Sequence, residues 1–125
     1  KMLSTGVDLI DLQRIEKILK KSSKSFIAKV ATASETSYLT KVKDAKRKVQ
    51  KVAGLFALKE AFAKALGTGI GEKCGFHDIE VSYTDLGQPE LKYLGSAFNI
   101  RDNQVACSIS HEGPFLIAFV VIVKA

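Results

Sequence analysis

The stretch from Asp44 to Leu66 limits what this chain can become more than any other. It strings strong helix formers together for about six turns and stops at Gly67, a residue suited to the left-handed turn that ends helices. Its first half is basic, with Lys46, Arg47, Lys48 and Lys51, but from Val52 onward it is apolar on nearly every side. A helix of that kind has to be buried against several other elements at once.

The flanking segments supply those elements. Met2 to Ile10 is β-like, and Asp11 can cap a helix over Leu12 to Lys20, where Leu12, Ile15, Ile18 and Leu19 recur at helical spacing. A second short helix is expected over Ser25 to Val30, and Ser34 is placed to cap a third carrying Tyr38 and Leu39. After the loop Gly67-Thr68-Gly69-Ile70-Gly71 the pattern changes to strands: Ile79 to Thr84, Glu90 to Leu94, Gln104 to His111 and Phe115 to Val123. The turns between them carry Leu86-Gly87-Gln88-Pro89 and Glu112-Gly113-Pro114. The last strand is apolar on both faces, which predicts a central position in its sheet. Helices first and a mostly antiparallel sheet afterwards define an α+β fold, and 125 residues suit a single domain over 1–125.

Charge narrows the function. Residues 1–64 hold 15 Lys/Arg against 6 Asp/Glu, whereas residues 65–125 hold 4 against 7. So basic a half points to an anionic partner: a nucleic acid, a phosphorylated cofactor or an acidic protein. The longest apolar run, Phe115 to Val123, is far below the ~20 residues of a spanning helix, so no membrane partner is expected. No secretory leader pattern opens the chain, and two cysteines, Cys74 and Cys107, make no disulfide framework; a cytoplasmic location is expected. A nucleic-acid partner is not expected either, because no Trp, aromatic platform or known binding motif accompanies the lysine patch at 41–51.

Two carboxylates sit where carboxylates are costly. On the helical wheel Glu60 lies beside Val49, Val52, Ala53, Phe56 and Ala63. Either it pairs with Lys64 one turn on, an arrangement worth ~0.3–0.5 kcal/mol, or it serves as a ligand or catalytic acid. Asp8, between apolar neighbours at a strand end, is either taken up by local backbone N–H groups or functional. If the two converge they suit Mg²⁺, which takes one or two carboxylates and fills its shell with water and phosphate oxygens. Lys64 precedes a glycine-rich loop whose N–H groups could approach an anion, although the loop is not a Walker motif. Alternation along the strand puts Ser108 and Ser110 opposite Cys107, Ile109 and His111, which argues against a Ser110–His111 nucleophilic pair. Cys107 and His111 would stand ~13 Å apart in an extended strand, too far for one zinc ion.

Three blocks then resemble a known family: Gly6-Val7-Asp8-Leu9-Ile10 with Arg14-Ile15, the run Phe56 to Gly69, and Ser108-Ile109-Ser110-His111. They look like bacterial holo-[acyl-carrier-protein] synthases of the short 4′-phosphopantetheinyl transferase type, across essentially the whole chain and in the same order. The resemblance implies that fold, with a long central helix on a mostly antiparallel sheet. It also implies transfer of the phosphopantetheine arm of coenzyme A to a serine of apo-acyl carrier protein, releasing adenosine 3′,5′-bisphosphate, in fatty acid biosynthesis. Asp8 and Glu60 would hold Mg²⁺, with Mn²⁺ able to substitute, and Glu60 and Lys64 would be catalytic. Coenzyme A would meet Lys46, Arg47, Lys64, Gly67, Thr68, Pro89, Ser110 and His111. The carrier protein would meet Arg14, Ile18 and Lys24. The same resemblance implies a homotrimer with sites between subunits. The chain departs from the family at Leu55, where an arginine is usual; Lys46, Arg47 or Lys48 are the candidates to compensate.

Overall fold

In the computed structural model, which describes residues 2–124, helix α3 (Ala45–Leu66) is the axis of the fold. The Asp44 carboxylate accepts the Arg47 N–H at 2.8 Å to start it. Gly67, with φ of 89°, ends it by donating its N–H to the Ala63 and Lys64 carbonyls. Both ends are those expected from the sequence.

Strand β1 (Met2–Asp11) leads into α1 (Leu12–Val30), where Asp11 accepts the Gln13 N–H at 2.9 Å. The two helices expected here, Leu12 to Lys20 and Ser25 to Val30, are halves of one rod broken at Ser22, whose φ and ψ are −152° and 51°. Helix α2 (Ala33–Thr40) corrects one expectation: its cap is Thr32, not Ser34. The Thr32 hydroxyl accepts the Glu35 N–H while the Glu35 carboxylate accepts the Thr32 N–H, so two otherwise orphaned donors are satisfied together.

The strands divide between two antiparallel ladders. β5 (Phe115–Lys124) lies between β1 and β4 (Val105–Glu112), in the central position its sequence predicts. β2 (Ile79–Tyr83) and β3 (Pro89–Tyr93) form a separate hairpin, tied to β4 by the Cys107 thiol on the Pro89 carbonyl at 3.3 Å. No described helix is long and apolar enough to cross a membrane.

The core forms where α3 lies on the three-stranded sheet. Leu116, Ala118, Val120 and Ile122 of β5 and Ile10 of β1 are buried against Leu58, Ala61, Phe62 and Ala65. Gly6 sets the spacing. A Cβ there would collide with the Ala61 carbonyl and the Ala65 N–H, so β1 touches α3 backbone to backbone. That contact, two residues from Asp8 and one from Glu60, joins two of the segments singled out above.

Candidate active site

Asp8 leaves β1 on the same side as Gly6, and Lys64 leaves α3 one turn after Glu60. The Lys64 ammonium reaches across, donating to the Val7 carbonyl at 3.0 Å and to Asp8 Oδ1 at 3.2 Å. The cation expected as a helical partner for Glu60 is thus ion-paired to the strand instead. Asp8 is largely covered and Lys64 half-exposed, so the pair stands at the rim of the fold with one side open.

Glu60 lies within electrostatic reach of both. Desolvation raises its pKa first and the Asp8 carboxylate raises it further; Lys64 and Arg14 pull against them without winning. Two acids crowded together beside apolar side chains favour a proton or a cation between them. The donors are carboxylate oxygens with no thiol or imidazole, and among the described residues no cluster of three His, Cys, Asp or Glu encloses an ion. Such a set fits a hard divalent ion that draws its remaining ligands from water and phosphate.

Beside Glu60 opens a cavity of about 380 Å³ whose wall includes Arg14, Ile18, Phe26, Phe56 and Phe76. Arg14 and Ile18 are two of the three residues expected to meet the carrier protein. Phe26, Phe76 and Lys29 were not expected, because their spacing gives no sign that the end of α1 folds back toward α3. Lys24 is exposed beyond the break in α1 and does not line the cavity.

Only some of the anticipated coenzyme A residues stand at the site. Lys64, Gly67 and Thr68 are together at the end of α3, next to Asp8 and Glu60. Lys46 and Arg47 are exposed at its other end, about 25 Å away along the helix axis. Ser110 and His111 occupy the end of β4. β5 separates them from β1, so His111 stands on the order of 10 Å from Asp8 across the sheet. Pro89 opens β3, farther along the same edge. Leu55 is buried beside a small pocket of about 240 Å³ whose lining cation is Lys51, held 4.3 Å from the Tyr83 ring. Lys46, Arg47 and Lys48 do not line that pocket.

Sequence pattern predicts nothing for the pair behind the site. Lys59, fully buried, donates to Glu35 Oε1 at 2.6 Å and to the Val30 and Phe76 carbonyls. Its one signal is a lysine inside an otherwise apolar helix.

Comparison with known proteins identifies the family. The family model for the 4′-phosphopantetheinyl transferase superfamily matches residues 4–120. The holo-[acyl-carrier-protein] synthase of Geobacillus sp. (strain WCH70) is 40% identical over 121 residues, covering 97% of this chain and 96% of that protein. The crystal structure of the Neisseria meningitidis synthase superposes with a TM-score of 0.83 at 34% identity, covering 97% of this chain and 98% of that one. The Bacillus anthracis synthase, solved in complex with CoA (3′,5′-ADP), gives 0.82 at 41% identity, with 98% and 97% covered. By these likenesses, which run over nearly its whole length, the chain belongs to the 4′-phosphopantetheinyl transferase superfamily, among the holo-[acyl-carrier-protein] synthases.

Proposed function

We propose that the chain transfers the 4′-phosphopantetheine arm of coenzyme A to a serine of apo-acyl carrier protein, with Mg²⁺ as cofactor and adenosine 3′,5′-bisphosphate as the released product. The observation that carries this reading is the Asp8–Lys64 ion pair, with Glu60 in electrostatic reach of both, at the open edge of the β1–α3 contact. Asp8 and Glu60 would hold the ion, which when bound neutralises charge on the diphosphate of coenzyme A.

The chain's own groups account for the remaining steps. The Lys64 ammonium turns from Asp8 to the diphosphate oxygens when these arrive. Glu60, directly or through a metal-bound water, accepts the serine proton as the serine oxygen attacks phosphorus. The new serine O–P bond forms as the bond from that phosphorus to the bridging oxygen breaks, and the bisphosphate leaves. Arg14 and Ile18 form the mouth through which the serine enters, and Lys17, Lys20, Lys21 and Lys24 on α1 steer an acidic partner toward it.

The remaining coenzyme A residues belong, in this reading, to a neighbouring subunit. Leu3, Val7, Leu9, Phe115, Ile117 and Phe119 leave an apolar face exposed on the three-stranded sheet, opposite α3. A homotrimer would bury it and bring Lys46, Arg47, Pro89, Ser110 and His111 of one protomer to the Asp8–Glu60 site of the next. Incubating the protein with apo-acyl carrier protein, coenzyme A and Mg²⁺ tests the reaction by mass spectrometry. The carrier should gain one phosphopantetheine arm, and EDTA should prevent it; no gain with metal present would refute the reading.

A further inference from the structure

Lys59 follows a logic that stability alone does not supply. Its three ammonium protons meet three acceptors: Glu35 Oε1 at 2.6 Å, the Val30 carbonyl at 2.8 Å and the Phe76 carbonyl at 2.9 Å. Replacing a buried ion pair by apolar side chains is often neutral, so the charge itself is a poor reason for keeping one. What an apolar residue could not do is bind the two carbonyls. They come from separate segments, the last turn of α1 and the 3₁₀ turn Phe76–Asp78, and both residues line the cavity that Glu60 borders. Lys59 itself does not line it. A second tie joins the same segments, His77 Nε2 to the Ala28 carbonyl at 2.9 Å.

We propose that Lys59 is a positioning residue that clamps the Val30 and Phe76 carbonyls, so fixing the cavity wall against which the carrier protein presents its serine to Glu60. This rests on the transfer reading above. Glu35 is the counter-ion and is not itself the clamp, because its oxygens also accept the Thr32 and Val81 N–H groups and the residue does not line the cavity that Glu60 borders. A Glu35→Gln variant leaves Lys59 enough protons for both carbonyls, even as a neutral amine. The double variant Lys59→Met with Glu35→Gln removes the clamp without leaving a bare charge.

Steady-state kinetics of both variants, with each substrate varied in turn below the melting temperature of the variant, decide the matter. For Glu35→Gln, lower thermal stability with both KM values within about twofold of wild type is expected. For the double variant, KM for the carrier protein should rise about tenfold while KM for coenzyme A stays within about twofold, the range expected when an outer partner of a site is removed. Wild-type KM values in a folded double variant would make Lys59 purely structural and overturn the proposal, as would an equal rise in both. If the double variant does not fold, His77→Ala, at an exposed residue, carries the test. Loosening the same segment should raise KM for the carrier about threefold and leave coenzyme A unaffected, and no change overturns the clamp. Absence of transfer by wild type would instead overturn the transfer reading, and this inference with it.

Discussion

Asp8 and Glu60 both stand where an isolated carboxylate costs free energy, and that cost is the trace a binding site leaves on a sequence. Glu60→Gln and Asp8→Asn should each fold and lose nearly all transfer, by about 100-fold or more, since each keeps shape and deletes charge. A mass-spectrometric time course checks this. The same change should stabilise the metal-free protein. Glu60 has a folded pKa above its ordinary value of 4.5, so the ionised form opposes folding at pH 8 and the penalty vanishes below about pH 4, where both states are protonated. The melting temperature of Glu60→Gln in EDTA should therefore exceed that of wild type at pH 8 and match it near pH 4. At this scale the two acids were legible because each interrupts an apolar pattern. Lys64 was legible as a cation but not in its choice of partner, since the Asp8 oxygen it takes is 56 residues away in sequence. Lys59 was legible only as a lysine in an apolar stretch of helix, and Glu35 not at all, since it looks like an ordinary helix residue until its burial is known.

The elements explain why the two acids meet. The β1–α3 contact depends on the missing side chain at Gly6, and Gly6→Ala would drive a Cβ into the backbone of Ala61. A loss of about 3 kcal/mol or more is expected, together with separation of Asp8 from Glu60. Gly54→Ala is the control. Its Cβ would meet only the Ile109 Cδ1 at 3.3 Å, the end of a side chain that can move, and alanine favours the helix by about 1 kcal/mol over glycine. Denaturant titration of both variants should give a large loss for the first and a value near wild type for the second. The Asp11 cap of α1 and the Gly67 terminator of α3 were readable, because each acts within its own turn. The start of α2 was misplaced by two residues although Thr32 and Glu35 stand at capping-box spacing. Ser34 suits a cap equally well, but it already stands inside the helix as its second residue, where its hydroxyl donates to Glu80 on β2 at 2.7 Å.

On the scale of the whole molecule, the strand Phe115–Lys124 explains what one protomer leaves undone. Its apolar character on both faces predicted a central strand, and it is one, but only the face toward α3 is covered within the chain. Phe119 lies between Val7 and Ser108 on the bare face, and Ile117 between Leu9 and Ser110. Phe119→Asp should therefore yield monomers by light scattering and abolish transfer without touching a site residue. Mixed assemblies give a sharper test. If each site joins Glu60 of one subunit to Arg47 and His111 of the next, Glu60→Gln and a double Arg47→Ala, His111→Ala variant should each be inactive alone. Co-expressed in equal amounts, they should recover activity. A site then has an even chance of an intact Glu60 and an even chance of an intact neighbour, so about a quarter of the sites are whole. Sites built within one chain would recover nothing, because every chain in the mixture carries a lesion in its own site. Recovery near that fraction would place the roughly 25 Å between the two ends of α3 across a subunit boundary, where one protomer's basic end serves its neighbour's acidic pair.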